Sequence, residues 1–123
     1  MYVLKNINPS QRVTDDAAVR AISLVLNITY KEAYMSLAEY SVGQCLAMND
    51  IRALKSFLKL IGYTDMQLKR RCSVETFARQ YAKPNSTYIL RIGKNSVTVV
   101  KDKTIYDNFN PSQKTVTSYW KIR

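Results

Sequence analysis

The feature that most constrains this chain is a change of apolar period near Lys83-Pro84-Asn85. Before that point apolar residues recur every three or four positions, as one buried helix face requires. After it, β-branched and aromatic residues gather in short runs between turn-formers. Val19, Ile22, Val25 and Leu26 predict a helix over 17–27, with Asp15 or Asp16 at the N-cap. Thr29 and Glu32 have capping-box spacing and open a second helix that runs to about Tyr40 and stops before Gly43. Ile51, Leu54, Phe57, Leu58 and Ile61 predict a third over about 49–61, closed by Gly62. Ser73 caps a short fourth over 74–81. Strands are expected at 86–92, 96–101, 104–106 and 115–122. Helices first and antiparallel strands after specify an α+β fold, with an N-terminal helical layer (about 15–82) packed on a C-terminal antiparallel sheet (about 86–122).

The 123 residues suit one domain spanning 1–123, and 46% apolar content supplies a core. No apolar run approaches the ~20 residues of a membrane span. The N-terminus lacks a charged leader followed by an apolar core, so a cytoplasmic location is expected. Cys45 and Cys72 are the only cysteines, too few for a disulfide scaffold. Lys69-Arg70-Arg71 precede Cys72 and predict a lowered thiol pKa there. Asn27-Ile28-Thr29 and Asn85-Ser86-Thr87 match the glycosylation sequon but carry no weight without a secretory signal.

Two features bear on function. The chain has no histidine, which removes the usual general base, thiol activator and metal ligand together. No metal or cofactor is expected, since phosphate loops, Cys-x-x-Cys pairs and calcium loops are also missing. The net charge of +10 favours acidic partners. Arg52, Lys55 and Lys59 recur at i, i+3, i+7 and share one helix face, and Lys69, Arg70 and Arg71 follow. These six form the candidate binding surface, for an acidic or host protein or for nucleic acid. Against nucleic acid, the aromatics are not interleaved with these charges as stacking platforms would be.

The order of several short motifs points further. Asp16-Ala17-Ala18-Val19-Arg20-Ala21-Ile22 is followed by Tyr30-Lys31-Glu32-Ala33, Ile61-Gly62-Tyr63 and Ser73-Val74-Glu75-Thr76-Phe77-Ala78. Then come Thr87-Tyr88-Ile89-Leu90, Asn95-Ser96-Val97-Thr98-Val99-Val100, Tyr106-Asp107 and Val116-Thr117-Ser118-Tyr119-Trp120. This ordered set resembles the small papain-like cysteine peptidase-fold proteins of phages and mobile elements of Gram-positive bacteria. The resemblance implies a papain-like fold, with Ala17 where the family has its nucleophilic cysteine and Asn95 where it has histidine. Asp107 stands in the place of the acid that orients the imidazole. Gln11, six residues before Ala17, has the spacing of an oxyanion donor.

Ala17 has no nucleophile, and Asn95 cannot act as a base near neutral pH. The resemblance therefore implies a catalytically inactive scaffold that binds a host protein in the host cytoplasm. Two alternatives stand beside it: a cysteine peptidase or other thiol hydrolase whose catalytic pair was removed by mutation, and a nucleic-acid-binding module using the basic helix face. The papain-like reading expects Ala17, Asn95, Asp107 and Gln11 to converge, with Ala17 facing a groove and Asp107 bonded to the Asn95 amide.

Overall fold

The computed structural model describes residues 1–12 and 14–122. In chain order the elements are β1 (Tyr2–Leu4), α1 (Ala17–Leu26), α2 (Tyr30–Gly43), α3 (Ile51–Leu60), β2 (Met66–Ser73) and α4 (Val74–Thr76). A wider π-helical turn, Phe77–Tyr81, continues α4, and β3 (Thr87–Arg91), β4 (Val97–Lys101), β5 (Thr104–Asp107) and β6 (Thr115–Lys121) complete the fold. The strands form a six-stranded sheet in the order β1-β5-β4-β3-β6-β2. Among the described residues, only the β1–β5 pair is parallel.

The local signals act largely as their chemistry requires. The Thr29 hydroxyl accepts from the Glu32 amide at 3.0 Å, while the Glu32 carboxylate accepts from the Thr29 amide at 3.1 Å. Two amides that no helical carbonyl can reach are thereby satisfied. Thr29→Ala is expected to cost about 1 kcal/mol, read as a lower urea midpoint at unchanged slope. Asp50 caps α3 by accepting from Arg52 N, and Ser73 caps α4 by accepting from Thr76 N. Gly62 closes α3 at φ +104°, where a side chain would be strained. α2 runs on to Gly43 rather than ending near Tyr40.

The sheet has two cores because β3 alternates. Ile89 joins Val97, Val99, Trp120 and Ile122 on the face covered by α1, α2 and α3. Tyr88, Leu90 and Ile92 point the other way, onto Val74, Phe77 and Ala78 of α4 and its continuation. The helices therefore do not form a single layer, which corrects the two-layer expectation: α1–α3 cover one face and the α4 segment the other. The sheet is also not confined to the C-terminal half. β1 gains its place by parallel pairing with β5 (Tyr2 opposite Ile105, Leu4 opposite Asp107). Met66–Ser73 reads as a charge run because Lys69-Arg70-Arg71 break any alternation, yet it forms the edge strand β2. Gln67 pairs with Ser118 and Cys72 with Val116, so Leu68 to Arg71 form a bulge opposite Thr117.

Candidate functional site

α1 begins at Ala17 and lies against β4 and β3, so its first turn meets the end of β5. The contact is ionic. Arg20, one turn into α1, donates Nε to Asp16 Oδ1 at 2.8 Å and Nη1 to Asp107 Oδ1 at 2.7 Å. All three side chains are at most 8% exposed. Asp16 stands at the N-cap but makes no cap bond. Its other oxygen accepts from Asn8 Nδ2 at 3.1 Å and from the Tyr30 hydroxyl at 2.8 Å. Asp107 Oδ1 also accepts from the Asn108 amide, while Oδ2 is buried without a protein partner among the described residues. One guanidinium thus joins the loop before α1, the start of α2 and the end of β5.

This wiring overturns the expected Asn95–Asp107 bond. Asp107 is held by Arg20, and the Asn95 side chain accepts from Ile51 N at 3.0 Å, at the start of α3. Ala17 is the first residue of α1, as expected, but it packs against the helix-side core. A cleft of about 360 Å³ beside it is lined by Asp15, Ala18, Tyr30, Tyr34 and Met48 instead. The Gln11 amide donates to the Asn6 and Asn8 carbonyls at 3.0 and 3.1 Å, stitching its own loop. Nothing here assembles a nucleophile with a base.

The network has pH limits on both sides. Burial raises the Asp16 carboxyl, but the bonds from Arg20, Tyr30 and Asn8, with the Arg20 charge, together hold it below its ordinary value. A depressed carboxyl stabilises the fold above its unfolded value of about 4 and loses that effect as pH falls through the folded one. Burial, then the bond to Asp16 and its charge, push the Tyr30 hydroxyl up to about 12. The fold therefore prefers the protonated phenol, and its contribution disappears as pH rises from about 10 to about 12. Urea midpoints at pH 8 and 11.5 are expected to differ less in Tyr30→Phe than in the native chain.

The basic residues divide into two groups. On α3, Arg52 pairs with Asp50 at 2.7 Å and Lys55 with Asp65 at 3.6 Å, so two of the three stripe cations already have carboxylate partners. On β2, Lys69, Arg70 and Arg71 are exposed, with no ion pair among the described residues. Burial raises the Cys72 thiol, which corrects the expected lowering: β2 turns it toward the core side of the sheet edge. Cys45 is exposed. An aromatic disulfide reagent is expected to label Cys45 at least tenfold faster than Cys72.

Aromatic rings and charges meet where two segments far apart in sequence come together. Tyr81 and Tyr119 share a cleft of about 200 Å³ with Lys83 and Lys121. Among the described residues, no cluster of three or more His, Cys, Asp or Glu side chains could hold a metal, and no helix is long and apolar enough to cross a membrane.

No protein-family model, curated protein or solved structure matches the chain.

Sequence reasoning missed Arg20, although Asp16 and Arg20 have the i,i+4 spacing of a helical ion pair. It also missed Arg91 and Lys94, which flank the Gly93 turn and extend the basic surface of β2.

Proposed function

We propose that this chain is a non-catalytic binding domain on a papain-like scaffold, of the kind carried by phages and other mobile elements, whose partner is an acidic host protein. The observation that carries the reading is the use made of Asp107. In a working thiol hydrolase that carboxylate would orient an imidazole. Here it neutralises a buried arginine one turn beyond Ala17, and Asn95 is occupied at the start of α3. The residues at the catalytic positions support the fold, and the outward-facing charge is left for recognition. Peptide, amide and thioester substrates are expected to show no turnover above a protein-free control. Hydrolysis abolished by iodoacetamide would contradict this, because it would make Cys45 or Cys72 a nucleophile.

A second reading rests on the cleft of Tyr81, Tyr119, Lys83 and Lys121. Tyr81 is exposed and Tyr119 half-buried, and rings beside cations are what single-stranded nucleic acid uses for stacking and phosphate contact. Tyrosine fluorescence quenched by a short oligonucleotide, and unchanged in Tyr81→Ala, would dismiss it.

A further inference from the structure

Three cations with no ion pair among the described residues, Arg71, Arg91 and Lys94, converge at one end of the sheet. The strand register sets Gln67, Ser118, Arg91 and Val97 side by side across β2, β6, β3 and β4. Val97 lies under the helices, but the row leaves their cover toward β2 and becomes a groove of about 490 Å³. Arg71 from the bulge and Lys94 from the β3–β4 turn close its sides.

Three properties make this groove a built anion receiver. The Arg91 guanidinium is pinned by donating to the Gly93 carbonyl at 3.1 Å and the Lys94 carbonyl at 2.8 Å. Carbonyls fix its position without neutralising it, so the fork keeps its charge and its remaining N–H groups. Arg71 and Lys94 make no ion pair among the described residues, and Asp50, the acid that feels Lys94, is already bound by Arg52. Ser118, buried at 3% exposure, also lines the groove and adds an uncharged hydroxyl between the cations. Two guanidinium forks, an ammonium and a hydroxyl in one short trough match carboxylates that can be held bidentately.

We infer that this groove binds an acidic, extended segment of a partner protein, with carboxylates paired to Arg71, Arg91 and Lys94. The inference deepens the binding reading above and rests on it. Charge complementarity selects an anion. The groove's own lining selects protein over nucleic acid, because it has no aromatic ring on which a base could stack. The bulge has an edge-protecting role as well: a kinked, cation-bearing edge resists indiscriminate strand addition. That leaves side-chain capture in the groove, rather than backbone pairing along β2, as the mode of contact.

The test is fluorescence anisotropy of a labelled eight-residue peptide of alternating Asp and Glu, against the full chain at low salt. Arg71→Glu/Lys94→Glu is expected to weaken binding at least twentyfold, while Lys31→Glu/Lys59→Glu, on α2 and α3, changes it less than threefold. Both variants change exposed side chains, and unaltered Trp120 emission verifies that they fold. No peptide binding by the native chain, or equal affinity in Arg71→Glu/Lys94→Glu, would overturn the inference. A labelled single-stranded 12-mer that binds more tightly than the peptide and is lost in the same variant would also overturn it, in favour of nucleic acid. None of these outcomes bears on substrate turnover, so the absence of catalysis stands or falls separately.

Discussion

Arg20→Met is expected to lower stability by about 3–5 kcal/mol, more than any surface change in this chain, because it leaves two buried carboxylates facing each other without their cation. The side chains of Asp16 and Asp107 are 7% and 1% exposed, so water cannot take over the role of the guanidinium. For a domain of this size that loss corresponds to roughly 10–20 °C in melting temperature, and it is a large fraction of the 5–15 kcal/mol that holds typical domains together. The penalty comes from stranded charge rather than from lost packing, since methionine retains most of the aliphatic stem. Asp16→Asn/Arg20→Met/Asp107→Asn is therefore expected to be more stable than Arg20→Met alone. Thermal unfolding of both proteins in the same buffer checks the order. If the triple variant is the weaker, the loss lies in packing and hydrogen bonds, not in unpaired charge.

Ala17→Cys/Asn95→His is expected to leave the chain without hydrolytic activity. The new pair would restore both residue types that a thiol hydrolase needs. The orienting acid would still be missing, because Asp107 is committed to Arg20. Residue 95 also sits where its present side chain accepts from Ile51 N, facing the start of α3. Removing the orienting acid from an otherwise intact triad costs about 10⁴ in turnover, so hydrolysis of activated esters is expected to stay within twofold of the native background. A burst of product stoichiometric with protein would show that the site is competent once its side chains are supplied. It would favour the reading of this chain as an enzyme stripped of its catalytic pair.

Much of the fold was legible in the sequence because its signals are local. Thr29 and Glu32 specify a helix start within four residues, and Gly62 specifies a stop by its backbone freedom alone. Strands β3, β4, β5 and β6 announce themselves by β-branched runs between turns. β1 and β2 do not, because their place depends on partners far along the chain. β1 is three residues held by β5, and β2 is a cation run made into an edge strand by β6. The candidate site was less legible for the same reason. The Asp107 partner is Arg20, 87 residues away, and no spacing rule joins them. The groove of Arg71, Arg91 and Lys94 likewise comes from three separate elements that only the strand register brings together.

The central claim is that Asp107 serves the fold through Arg20, and a double-mutant cycle tests it most directly. Arg20→Met, Asp107→Asn and the pair would be unfolded in urea and followed by the emission of Trp120, the one tryptophan, which is 1% exposed. Residues in one buried ionic network are expected to couple by about 2 kcal/mol or more, so that the double variant loses much less than the sum of the singles. Coupling below about 0.5 kcal/mol, the level of independent sites, would contradict the account and free Asp107 for a catalytic role.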